Sequence, residues 1–388
     1  AITRTFNGFA EAQTWNTTVG GAEKTAFTLE RDTSGRISQK TETVDGTTIT
    51  YDYTYDAMGR LLTVSSAGTV VEQYAYDTAG RRTHELNTRR DIASKTYSYD
   101  TEGHLLAAGD ATYTYDLDGF LTSKTDDAGT TTYTYSSRGE LLQAVLPDAR
   151  TITYTHDPLG RRIAKLIDGV VQEQYLWQGR TRLLAILDAT GAVKYRFEYA
   201  DERMPVAMLA EGQRYYLAYD QVGSLRAVVS AETGEIVKKV VYDSFGNVVS
   251  DTNTAFTQLG FAGGLYDKDT GLIRFGFRDY DPEVGRWMAK DPIGFGAGHD
   301  DLYEYCVSNP ITYNDFNGLE EGISCNFMFR DDGILVYGSE GGKEISPYFL
   351  YTNDSMTNAN IYCSRDEIPA HPHLYTGYAV PGACPFSI

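Results

Sequence analysis

Between Phe261 and Leu319 the chain gathers acidic and basic side chains that can hold and move protons. Arg278 stands ahead of two Asp-Pro pairs, Asp281-Pro282 and Asp291-Pro292. A further carboxylate, Asp315, opens the run Asp315-Phe316-Asn317-Gly318-Leu319. Two carboxyls that share a proton can supply both a general base and a general acid. A nearby guanidinium keeps one carboxyl ionised and can steady an oxyanion. Glycines such as Gly318 let backbone approach such groups closely. The same residues also have plain readings. Asp-Pro is a turn signal, a lone arginine is a salt-bridge partner, and Asp267, Asp279 and Asp281 read as turn and strand-end residues.

The elements that must hold this stretch come before it, and they repeat. The unit is Tyr-x-Tyr-Asp-x-x-Gly-x-Leu, with clear copies at Tyr53–Leu61, Tyr74–Gly80, Tyr97–Leu105, Tyr113–Leu121 and Tyr154–Gly160. Its glycines at 59, 80, 103, 119, 139 and 160 are spaced 21, 23, 16, 20 and 21 residues apart. A period of about 20 residues indicates a stacked β array. Tyr-x-Tyr puts two rings on one face of a strand. Asp opens a turn by accepting a backbone N–H, and Gly closes it with a positive φ. Each unit is then a β-hairpin that needs its neighbours to complete a core. The Tyr stripe reads as packing rather than a sugar-binding platform, because it recurs with the repeat. Tyr55, Tyr76, Tyr99, Tyr115 and Tyr135 are expected at equivalent places in successive hairpins of one strongly curved sheet.

Composition agrees with many short strands and tight turns: Tyr 30, Gly 38, Trp only 3. The net charge of -19 and the lack of a Lys/Arg block speak against nucleic-acid binding by the repeats. No apolar run is long enough to span a membrane. The opening Ala1-Ile2-Thr3 reads as mid-repeat, as in a piece of a longer protein.

The run GLYDKDTGLIRFGFRDYDPEVGRWMAKDPIG, followed by LYEY, NP and DFNGL, resembles the conserved core of the Rhs/YD-repeat family, which includes bacterial polymorphic toxins, C components of insecticidal toxin complexes and the teneurins. The resemblance implies an all-β fold: a YD-repeat hairpin array forming part of a curved or spiralling shell, closed by the core as a plug. It divides the chain into shell repeats (1–260), core (261–319) and a variable tail or cargo (320–388). It also implies an aspartyl autoprotease that cuts after the leucine of a D-P-x-G-L motif. Arg278 and Asp291 match the catalytic arginine and aspartate, Asp315 matches the aspartate of the cleavage motif, and the implied scissile bond is Leu319–Glu320. Phe316 stands where the family has Pro, Asp301 where it has Asn, and His299 is atypical.

The partners implied are the chain's own C-terminal segment as cargo, further shell repeats and a secretion-system component, at a secreted or cell-surface location. Two other functions stay open: a non-cleaving structural or adhesive repeat module, and a small toxin within 320–388. No cofactor or metal is expected. His371 and His373 lack partner carboxylates at a recognisable spacing, and no C-x-x-C pair occurs. Among Cys325, Cys363 and Cys384 a disulfide is expected if the protein matures outside the cytoplasm.

Overall fold

The structure is a computed structural model. It describes residues 1–8, 11–179, 181–200, 203–292, 294 and 301–319, and the backbone of five short strands between 327 and 350. The tail cysteines, His299, His371, His373 and Glu320 lie outside the described residues.

The repeat chemistry builds one antiparallel sheet of 24 strands, from Ile2–Phe6 to Val248–Asp251. Each described repeat turn is made alike. The Asp56 N–H donates to Arg60 O (3.0 Å), and the Gly59 N–H donates to Asp56 O (3.1 Å). Asp56 Oδ1 accepts the N–H groups of Met58 and Arg60, both at 2.9 Å. Gly59 closes the turn at φ 89, in the left-handed region that a Cβ disfavours. The same pattern recurs at Asp32, Asp77, Asp100, Asp116, Asp157, Asp188, Asp220 and Asp243.

The expected equivalence of the tyrosines holds in the register. Tyr55 pairs Leu61, Tyr76 pairs Arg82, Tyr99 pairs Leu105, Tyr115 pairs Leu121 and Tyr135 pairs Leu141, each just past a register shift. The Tyr55, Tyr76 and Tyr99 hydroxyls reach back one hairpin, to the carbonyls of Ile37, Leu61 and Arg82. The first tyrosines of the repeats, such as Tyr74 and Tyr154, are buried, as packing requires.

Arginine after the turn glycine adds a second link along the array. Arg60 donates from Nε to its own Asp56 (2.6 Å) and from Nη1 to Asp77 O of the next turn (3.1 Å), with its guanidinium over the Tyr76 ring. Arg36 and Arg81 do the same for their neighbours.

Curvature brings the early strands against the late ones. The Trp15 indole donates to Tyr219 O (2.9 Å), and Arg226 grips both oxygens of Glu42 at 2.6 and 3.1 Å. Arg89 donates to Tyr242 O (2.6 Å) and Asn87 to Asp243 (3.0 Å). These are side-chain contacts. Among the described residues the first strand pairs only with the second, so the sheet coils without closing.

Inside the curve sits the core stretch. It forms a small sheet of Leu265–Tyr266, Ile273–Phe275, Arg278–Asp281 and Arg286–Trp287, packed around Phe275, Tyr280, Trp287 and Tyr305. The shell supplies cations to it and the core supplies carboxylates. Lys165 meets Asp267 and Asp269 (both 2.6 Å), Arg162 meets Asp279 (2.7 Å), and Lys95 and Lys124 meet Glu283. Asp267 and Asp279 are therefore docking residues as well as turn and strand-end residues. Asp281 fits the simpler reading, its Oδ1 accepting the Glu283 N–H at 2.9 Å.

Candidate functional site

Arg278 begins the strand that follows a tight turn at Gly276. Gly276 has φ +37, and a Cβ there would overlap the carbonyl of Asn317. The close approach is used: the Phe277 N–H donates to Asn317 O at 2.9 Å. Gly318, at φ +71, is similarly pressed, with room for a Cβ only 2.8 Å from Phe275 O. Two glycines thus lay the segment 315–319 against the start of the Arg278 strand.

The Arg278 guanidinium, almost fully buried, spreads its donors over this segment and its neighbours. Nε donates to Gly318 O (2.5 Å) and Nη1 contacts Leu302 O (3.4 Å). Nη2 lies 2.8 Å from Asp291 Oδ2 and 3.2 Å from Asp315 Oδ2. The Trp287 ring lies under the guanidinium carbon at 4.1 Å, a cation–π contact in a dry setting. All three residues singled out from the sequence are buried together around one nitrogen.

Backbone bonds fix both aspartates in place. The Asp291 N–H donates to Leu302 O (3.0 Å), and its carbonyl accepts Gly294 N–H (2.9 Å). Asp315 Oδ1 accepts the N–H groups of Gly318 (2.8 Å) and Leu319 (3.2 Å), and Asn317 Oδ1 also accepts Leu319 N–H (2.8 Å). Asp315 therefore grips the peptide just ahead of the implied cut while its other oxygen faces Arg278. Glu320 lies outside the described residues, so the described site ends at Leu319.

The departures from the family pattern have physical partners. Asp301 takes both Arg286 terminal nitrogens at 2.7 and 2.9 Å and caps the Tyr303 N–H at 3.0 Å. The Phe316 ring carries the Arg203 guanidinium at 4.4 Å. A third feature had no sequence signal. Cys306, Val307 and Ser308 all have positive φ (53, 46 and 52), a rare run for residues with a Cβ. The bonds Ser308 N–H to Tyr305 O (3.1 Å) and Asn309 N–H to Cys306 O (2.7 Å) hold it. Trp287, Gly276 and the Leu302 carbonyl were also not foreseen. The sequence hint for Gly276 was a glycine between two aromatics directly before Arg278.

Charges around the site are tuned by the same packing. Burial pushes the Asp279 carboxyl up, but Arg162 and Arg274 outweigh it and hold the group below its usual value. Burial, helped by Arg274 and Arg162, pushes His156 down to about 3, so it is neutral at neutral pH. Among the described residues no group of His, Cys, Asp or Glu is arranged to hold a metal ion.

The profile of the teneurin YD-shell family matches residues 1–314. The chain belongs to the teneurin YD-shell family. Teneurin-4 of Mus musculus is 31% identical over 344 residues, covering 85% of this YD-shell chain and 12% of that protein. Double-stranded DNA deaminase toxin A of Burkholderia cenocepacia (strain H111) is 30% identical over 389 residues, covering 90% of this chain and 26% of that protein. The YD-shell chain thus spans a small part of each. Against the crystal structure of TcdB2-TccC3-Cdc42 it aligns over 82% of its length and 21% of that chain, at 19% identity and a TM-score of 0.41. No helix among the described residues is long and apolar enough to cross a membrane.

Proposed function

We propose that this YD shell encloses or presents its own C-terminal segment and cuts it free after Leu319 by an aspartyl-protease-like hydrolysis. The observation that carries the reading is the single Arg278 nitrogen shared by Asp291 and Asp315, beside backbone that Asp315 holds by the Gly318 and Leu319 N–H groups. In the reaction a water oxygen adds to the Leu319 carbonyl carbon. Asp291 takes the water proton. The C–N bond then breaks as the Glu320 nitrogen receives a proton from the carboxyl pair, leaving a Leu319 carboxylate and a Glu320 amine. One proton is shared by the two carboxyls at the start, and Arg278 keeps the other carboxyl ionised.

The setting that fits this chemistry is a secreted or cell-surface shell, with the released tail as its cargo. A second reading has its own support. Every Arg278 nitrogen is already occupied, so the triad is also a complete structural clamp of the kind a non-cleaving module needs. Sequencing the N-termini of the purified protein separates the two. Two termini, Ala1 and Glu320, support cutting. Ala1 alone, after prolonged incubation, supports the clamp.

A further inference from the structure

The turn Asp116–Leu121 lies in a break of the arginine ladder. Arg36, Arg60, Arg81 and Arg161 follow their turn glycines and bind their own turn aspartates. At the three intervening turns the same position holds His104, Phe120 and Glu140. The Gly103 and Gly119 turns meet the core, where Arg286 donates to Gly103 O (2.9 Å) and the Tyr303 hydroxyl donates to Gly119 O (2.6 Å). The arginine-bearing Gly160 turn meets it as well, through Arg274 to Gly160 O at 3.1 Å.

Phe120 adds a backbone junction to these contacts. It forms an antiparallel bridge with Ala289, and the next residue, Leu121, donates its N–H to Met288 O at 3.0 Å. The Phe120 ring packs on Tyr135 at 5.3 Å and, with Ala289, covers Gly139, where a Cβ would come within 3.1 Å of the ring. Phe120 is buried, and its neighbour in the core, Ala289, is two residues from Asp291. On its other side the same core segment is bonded to the core, through Met288 N–H to Asp279 O and Asp291 N–H to Leu302 O. Asp279 in turn is held by Arg162 from a different shell repeat. So the strand bearing Arg278 and the segment bearing Asp291 are each pinned to separate repeats of the shell.

We infer that Phe120 is a positioning residue for Asp291, so that the wound shell sets the distance between Asp291 and Arg278. This rests on the cleavage reading for its consequence but not for its geometry. The core's own bond from Met288 N–H to Asp279 O joins the two segments, and the repeats from Asp116 to Arg162, curved around the core, set their final spacing. Cutting is therefore tied to a completed shell, and the tail stays attached while the shell is unfinished.

The test uses the full chain with Phe120→Arg and Phe120→Leu. Arginine restores the ladder residue found at four other turns, so the shell is expected to keep its thermal midpoint while the contact to Ala289 is lost. Leucine keeps an apolar contact. Cleavage in Phe120→Arg should slow by about 10²-fold, the scale of a small misplacement of a reacting group, with Phe120→Leu near wild type. Hydrogen exchange read at the Leu121 and Asp291 amides should quicken in Phe120→Arg, with the amides of the early strands unchanged. Wild-type cutting in Phe120→Arg, with both amides still protected, would overturn the inference while leaving the cleavage reading intact. If the wild-type chain is never cut, the cleavage reading fails, and exchange alone decides: unchanged Leu121 and Asp291 amides in Phe120→Arg refute the positioning role, and faster ones uphold it.

Discussion

Asp291 Oδ2 lies 2.8 Å from Arg278 Nη2, in a site from which water is almost wholly excluded. Such a pair is both a catalytic arrangement and a structural commitment, because a buried charge without its partner costs about 3–5 kcal/mol. Asp291→Asn keeps the side-chain shape and removes the base. Cleavage is expected to slow by about 10²–10⁴-fold. Unlike a turn substitution, it should also lower stability, moderated by Asp315 remaining on the same nitrogen. Rates followed by gel and a urea titration check the two effects separately. A fully active Asp291→Asn protein would remove Asp291 from the mechanism.

Gly276→Ala tests the backbone contact that seats the cleavage segment. The new Cβ would overlap Asn317 O, and φ +37 is itself costly for alanine. The Phe277–Asn317 bond should break and the 315–319 segment should lift from Arg278. Cleavage should be lost while the repeats stay folded, as judged by far-ultraviolet circular dichroism. An active Gly276→Ala protein would show that this seating is dispensable.

Asp301→Asn brings the sequence closer to the family pattern, yet it should harm this protein. Asp301 takes two bonds from Arg286, which also holds Gly103 O of the shell. Asparagine leaves that buried guanidinium without its countercharge, at a cost of about 3–5 kcal/mol. Chemical denaturation of Asp301→Asn should show a clearly lower midpoint. An equal or higher midpoint would mean that the Arg286 clamp contributes little.

Stability should fall as the solution turns acidic, with one buried carboxyl working against the fall. Burial, with repulsion from Glu72, raises Asp243 to about 6. Its contribution is therefore full below its unfolded value and is lost as pH rises through about 6. Glu283 and Glu42 are opposite. Burial raises them, but Lys124 and Lys95 in one case, and Lys40 and Arg226 in the other, win and bring each to about 2. Their contributions are present above the ordinary carboxylate range and fade as pH falls through it toward about 2. His156, held neutral by burial down to about 3, acts in the same sense as Glu283 and Glu42, its contribution lost as pH falls below the ordinary histidine value. Thermal midpoints should thus fall from pH 7 downward, with Asp243 working against the fall. Asp243→Asn should make the fall steeper between pH 6 and pH 4, and an unchanged slope would contradict the assignment for Asp243.

The parts of this structure legible in the sequence are those set by local chemistry. Asp56 and Gly59 make the same turn wherever they recur, because the bonds involved span only four residues. The match through Arg278, Asp291 and Asp315 brought together three residues that the fold does place on one nitrogen. What stayed hidden depends on the curvature summed over many hairpins. Gly119-Phe120-Leu121 reads as an ordinary repeat, and only the coiled sheet sets it against Ala289. The Arg226–Glu42 pair joins residues 184 apart for the same reason. Asp279 looks like a strand-end residue until the Arg162 repeat arrives beside it. Asp301 and Phe316 look like defects until Arg286 and Arg203 are seen against them.

The most direct measurement is the intact mass of the purified chain under denaturing conditions, beside Asp291→Asn. Two wild-type fragments that meet at Leu319–Glu320 and together account for the chain plus one water, with Asp291→Asn left whole, are the expected result. A single wild-type species at 43.0 kDa after long incubation at neutral and mildly acidic pH would contradict self-cleavage and leave the Arg278 cluster as a structural clamp.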